Sequence, residues 1–222
     1  MMKLLCSALI KVTFGILLVG AMLFLPAWTL AYWEGWLFMG LLFVPMVIAG
    51  FVMLFQSPDL LARRLDAKEK QGEQKGVVAA SALMFTAGFV VAGLDHRFDW
   101  SRMPMAVTVA AAVLFLVAYA LYAEVLRENA YLSRTVKVEQ GQTVVSTGLY
   151  GIVRHPMYSV TILLFLMMPI VLGSWFALII FAIYPVLIVI RLQAEEKLLV
   201  KELPGYDEYR KKVKYRLIPF VW

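Results

Sequence analysis

Six apolar stretches, at residues 8–30, 36–55, 77–94, 105–126, 157–172 and 175–190, constrain this chain more than any other feature. The first four have spanning length, because a hydrocarbon core of about 30 Å takes about 17–25 helical residues. Composition leaves no soluble alternative: 62% of the residues are hydrophobic, 16% are charged and the mean hydropathy is +0.80. A chain of 222 residues cannot cover that much apolar surface with polar groups. The expected fold class is an all-α integral membrane protein, a polytopic helical bundle of about six spans. The last two stretches are short and are joined directly by Gly173-Ser174-Trp175, so they read as one tight helical hairpin or, alternatively, as a re-entrant element. The first stretch is long, carries Lys11 and has no Ala-x-Ala site before Trp33, which predicts a retained helix and not a cleaved signal.

Charge sets the expected orientation. Lys and Arg collect on the cytoplasmic side of inserting proteins. With six spans and the N-terminus inside, all 21 basic residues except Arg97 and Arg102 fall on inner segments, so both termini are expected to be cytoplasmic. The net charge of +6 is then a basic inner face drawn to membrane lipids with anionic headgroups, and no nucleic-acid partner is expected. Cys6 is the only cysteine, which excludes an intrachain disulfide and a cysteine metal cluster, and no metal site is expected.

The polar chemistry is unevenly placed. Residues 1–126, with four spans, read as an N-terminal transmembrane scaffold, and residues 127–222 as the core that carries the chemistry. Residues 56–76 are charge-mixed and predict a solvated connection. The alternation at 135–138 and 143–145 predicts short extended pieces around Gly141. In the tail, Tyr206, Tyr209 and Val213 share one helical face against Arg210, Lys211, Lys212 and Lys214, the pattern of a cytosolic interfacial helix.

Within the core, Arg154-His155-Pro156-Met157-Tyr158 is separated by the apolar hairpin from Arg191 and the pair Glu195-Glu196. One hairpin returns the chain to the face it left, so these groups are expected to meet. Taken singly, each has a plainer account. Arg154 and Arg191 suit inner-face anchors, and Arg191 and Glu195 are spaced i,i+4 as a helix-surface ion pair. His155-Pro156 suits a helix start, and the tail tyrosines suit the membrane interface. Their joint occurrence points to a site. His96, between Asp95 and Arg97, is expected to be exposed on the outer side, without a role.

The order Asn129-Ala130-Tyr131, Gly148-Leu149-Tyr150, Arg154-His155-Pro156-Met157-Tyr158, Arg191, Glu195-Glu196, Gly205-Tyr206-Asp207-Glu208-Tyr209 and Tyr215-Arg216-Leu217-Ile218-Pro219 resembles the isoprenylcysteine carboxyl methyltransferase family and the related phospholipid N-methyltransferases, over about residues 120–222. The chain departs from that family at Ala130, where Pro or Gly is common, and at Leu149, where Pro is common. The resemblance implies transfer of a methyl group from S-adenosyl-L-methionine to a lipophilic or lipid-borne acceptor, with the cofactor on the cytosolic side near the Arg-His-Pro and Glu-Glu motifs. It implies Arg154, His155 and Glu196 as catalytic. It implies Tyr150, His155, Pro156, Tyr158, Arg191, Glu195, Glu196, Tyr206 and Tyr209 as cofactor-binding.

Residue chemistry agrees with that cofactor. A carboxylate of Glu195 or Glu196 can accept from ribose hydroxyls or an ammonium, and Arg154 or His155 can meet a carboxylate. Tyrosine faces can stack on adenine or lie against a sulfonium. A prenylated cysteine carboxylate, a phospholipid amine, a quinone-type hydroxyl and a small thiol all stay open as acceptors. Two other classes stay open beside it. One is an NADPH-dependent membrane reductase of the sterol-reductase type, whose phosphates Arg210, Lys211 and Lys212 would meet. The other is a non-enzymatic membrane module, although the chain lacks the repeated halves of transporters.

Overall fold

The computed structural model describes residues 2–65, 72–132, 138 and 141–222. Four long helices come first: α1 (Met2–Ala27), α2 (Trp33–Gln56), then the short α3 (Pro58–Leu65), α4 (Gly72–Phe98) and α5 (Met105–Glu128). A 3₁₀ turn at Gly148–Gly151 leads into α6 (Pro156–Val171), α7 (Trp175–Phe181), α8 (Tyr184–Glu202) and the tail helix α9 (Tyr206–Lys212). Among the described residues there is no strand: 143–145 joins no ladder, and residues 135–137 lie outside the described residues. Five segments are long and apolar enough to cross a bilayer: Met2–Ala27, Trp33–Gln56, Gln74–Phe98, Met105–Glu128 and Trp175–Glu202. α6 has 16 residues, a length of about 24 Å that falls short of a full hydrocarbon core. The protein is a polytopic helical membrane bundle.

The hairpin forms where the sequence places it. Gly173 takes φ +76, and the Ser174 side chain accepts from Ala177 N at 3.0 Å to start α7. Pro185 then sits in the first turn of α8, and the helix carries on through Glu202. The boundary expected at residue 190 is therefore absent. Arg191 and Glu195-Glu196 belong to the last long apolar segment itself, and their polar heads are met by protein partners. The packing is close enough to demand small residues: a Cβ on Gly93 of α4 would lie 2.4 Å from the Leu23 carbonyl oxygen of α1.

Three expectations about the flanks are corrected. Residues 58–65 are not a solvated connection: Leu60 and Leu61 are buried, Arg63 donates to the Ala130 carbonyl at 2.8 Å, and the Arg64 guanidinium lies 5.4 Å from the Tyr122 ring centre. His96 is half-buried and stacks on Tyr32 at 4.1 Å; Tyr32 in turn donates to the Leu172 carbonyl at 2.7 Å. The apolar face of α9 is filled by protein, as Tyr206, Tyr209 and Val213 pack with Leu199 and Leu203.

Candidate functional site

The approach to the site is set by one glycine. Gly148 has φ +51, and a Cβ there would sit 1.4 Å from Glu128 Oε1. With only hydrogen at this point, the Glu128 carboxylate accepts from Leu149 N at 3.0 Å and fastens the 3₁₀ turn to the end of α5. Tyr150 is then held at both ends: its hydroxyl accepts from Asn129 Nδ2 at 3.0 Å, and its carbonyl accepts from the Tyr209 hydroxyl at 2.7 Å. The chain next lays Arg154 and His155 against the C-terminal segment, with Arg154 N donating to Tyr215 O at 2.8 Å and His155 N to Arg216 O at 3.0 Å. Pro156 opens α6 at its first turn, where a missing N–H costs nothing.

Behind the site, Glu196 collects the charges. Arg154 Nε donates to its Oε1 at 2.7 Å, and Arg216 Nε donates to its Oε2 at 2.9 Å. His155 Nε2 lies 3.4 Å from Oε1. Arg154 also donates from Nη1 to the carbonyls of Val213 and Lys214, both at 2.9 Å. A buried ion pair is tolerated when its remaining donors and acceptors are satisfied in this way.

In front lies a cleft with about 800 Å³ of empty space, part of it continuous with the outside. Its polar lining contains Tyr158, whose hydroxyl donates to Glu195 Oε2 and accepts from Arg191 Nε at 3.1 Å. The His155 ring stacks on Tyr158 with centres 5.7 Å apart and so links the two polar groups. Its apolar lining contains Leu132, Val144, Val145, Met157, Leu199 and Leu203. Burial pushes the phenols of Tyr150, Tyr206 and Tyr209 above their ordinary range, so all three are O–H donors at neutral pH. For Tyr206 the nearby Glu196 and Glu195 charges push the same way.

Eight of the expected site residues line this one cleft: Tyr150, Arg154, His155, Tyr158, Arg191, Glu195, Tyr206 and Tyr209. Glu196 and Pro156 do not line it. Arg210, Lys211 and Lys212, the bases that a nicotinamide dinucleotide would want, are exposed on α9 away from the cleft, and Arg210 pairs with Asp207 at 2.8 Å. Sequence reasoning missed the part of Arg216, although that residue stood inside one of the motifs. It also missed Glu128, whose spacing to Gly148 carries no local signal.

Helical spans with a polar cleft lined by residues between Asn129 and Tyr209 define a polytopic helical membrane protein with a candidate site. Residues 108–201, from within α5 almost to the end of α8, match the family model described as the isoprenylcysteine carboxyl methyltransferase (ICMT) family. That is the family to which the motifs point, and together with the spans it supports a membrane methyltransferase in general. No curated protein matches the chain.

Proposed function

We propose that this protein is an S-adenosyl-L-methionine-dependent methyltransferase acting on a lipophilic or lipid-modified acceptor. We further propose that its cleft lies on the cytosolic side, with both termini cytoplasmic. The observation that supports this best is the mixed lining of one cleft: a carboxylate, two guanidinium groups, an imidazole and five phenols together with aliphatic side chains.

The donor set suits the cofactor part by part. Glu195 accepts from ribose hydroxyls or the ammonium, and Arg191 meets the carboxylate. The ring faces of Tyr206, Tyr209 or Tyr150 receive adenine or the sulfonium, which a π-face attracts as it does a quaternary ammonium. When bound, the cofactor supplies an activated methyl group for in-line displacement. The residues then have to position the partners and exclude water, and near-attack placement can supply about 7–11 kcal/mol of the barrier. Because a carboxylate oxygen only accepts, Glu196 favours the hydrogen on His155 Nε2, leaving the Nδ1 lone pair to take a proton from an amine, hydroxyl or thiol acceptor. A carboxylate acceptor would need no such base.

The test is to titrate purified protein with S-adenosyl-L-methionine and with NADPH, then to incubate membranes with radiolabelled methyl donor and extract the lipids. Saturable binding of the methyl donor and label in the lipid fraction are expected. Binding of NADPH alone would replace this reading with the reductase one, and binding of neither would leave a non-enzymatic module.

A further inference from the structure

The C-terminal segment after α9 lies beyond residues 108–201, the part that matches the family model, yet it reaches the centre of the site. It is seated by its main chain. Tyr215 O and Arg216 O accept from the backbone of Arg154 and His155 at 2.8 and 3.0 Å, and Leu217 O accepts from Ser159 Oγ at 2.6 Å. Leu217 N and Ile218 N close the end of the chain onto Trp222 O at 2.9 and 3.0 Å. None of these contacts uses the Arg216 side chain. That side chain is 35% exposed, passes 5.0 Å from the Trp222 ring centre and ends on Glu196 Oε2.

We propose that Arg216 is a positioning residue: it holds the Glu196 carboxylate so that Oε1 stays on His155 Nε2, and it thereby fixes which imidazole nitrogen carries the hydrogen. A carboxylate gripped at one oxygen alone can turn about its last side-chain torsion, which is broad and roughly two-fold. Arg154 grips Oε1; a second guanidinium on Oε2 removes that freedom. Oε1 is then shared between Arg154 and the ring in one arrangement, and Tyr206, whose hydroxyl lies 3.4 Å from the same nitrogen, completes its surroundings. The inference rests on the reading of His155 as a proton acceptor in methyl transfer.

The chain has two histidines, so nitrogen-15 histidine labelling of the full-length protein in detergent, with His96→Asn to assign the signals, observes His155 directly. In Arg216→Met the separate Nδ1 and Nε2 signals of His155 are expected to move toward each other as the two tautomers mix, and Arg216→Lys is expected to restore most of the separation. Methylation should follow: kcat falls about 10- to 100-fold in Arg216→Met, the methyl-donor KM stays within about threefold, and Arg216→Lys recovers most of the loss. Unchanged His155 signals in Arg216→Met overturn the proposal, whether or not the protein methylates anything. So does an Arg216→Met protein that fails to fold, because the main-chain contacts are argued to seat the segment without the side chain. If the wild-type protein transfers no methyl group, the functional reading fails while the histidine signals still decide the role of Arg216.

Discussion

Glu195 and Glu196 are neighbours on α8 that face different structures: Glu195 meets the Tyr158 hydroxyl on the wall of the cleft, whereas Glu196 lies behind it between Arg154 and Arg216, at 2.7 and 2.9 Å. Successive helical residues are rotated by about 100°, so an adjacent pair serves two sides of one wall. The two substitutions should therefore fail differently. Glu196→Ala strands the buried Arg154 guanidinium, and removing one partner of a buried pair costs about 3–5 kcal/mol. A lowered melting temperature in detergent is expected along with lost methylation. Glu195→Ala should leave the melting temperature near that of the wild type and raise the methyl-donor Kd at least about tenfold, as for the loss of one charged hydrogen bond. Equal thermal stability in both variants would contradict this division.

Tyr158 ties Arg191 to Glu195 through a single hydroxyl oxygen. Tyr158→Phe keeps the ring that stacks on His155 and removes only that bridge. With hydrogen bonds to charged groups worth about 1.5–3 kcal/mol, the donor Kd is expected to rise about 10- to 100-fold while expression and folding hold. Isothermal titration with the methyl donor measures it, and an unchanged Kd would take the bridge out of the binding site.

Gly148→Ala tests how the site is fastened to α5. The new methyl group would meet the Glu128 carboxylate at 1.4 Å, in a backbone conformation with φ +51 that L-residues seldom adopt. The turn should detach, freeing Leu149 N and displacing Tyr150. Membrane insertion is expected to continue, because only the last residue of α5 is met and its apolar run is untouched, while donor binding is lost. Double substitution with Glu128→Ala should recover part of it by removing the clash, and no recovery would place the whole defect in the backbone angle.

The buried phenols set an alkaline limit. Tyrosine ionises near pH 10 in an unfolded chain, and burial raises Tyr150, Tyr206 and Tyr209 above that in the fold. Above about pH 10 the unfolded state binds fewer protons than the folded one, so stability falls as pH rises from there and is unaffected below. Melting curves against pH should stay flat to about pH 9 and then drop, and Tyr206→Phe should make the drop shallower. An equal drop in that variant would mean that Tyr206 ionises freely.

Much of this arrangement is legible in the sequence because its signals are local. Six apolar runs announce the helices, and the turn at Gly173-Ser174 announces that His155 and Glu195-Glu196 share one end of the bundle. What escapes reading depends on where a side chain points. Arg191 and Glu195-Glu196 look like the polar fringe of a finished span, yet they lie within a continuing helix whose polar heads are met by Tyr158, Arg154 and Arg216. Arg63 and Arg64 look like a solvated loop but touch Ala130 and Tyr122. His96 looks exposed between two charges but finds the Tyr32 ring. In each case a charged or titratable residue marks a tertiary contact that helix periodicity does not encode.

Orientation is the remaining expectation, and it can be settled chemically. Basic residues resist translocation, and in the proposed topology only Arg97 and Arg102 lie outside. Arg102 there is paired with the exposed Asp99. Cys6 is the only native cysteine, so a Cys6→Ser background is silent to thiol reagents. In that background Asp99→Cys should react with a membrane-impermeant maleimide added to intact cells. Lys211→Cys, on the exposed face of α9, should react only after the membrane is opened. The reverse pattern would put the cleft on the outer face, away from a cytosolic supply of methyl donor, and would count against the proposed function as well as the topology.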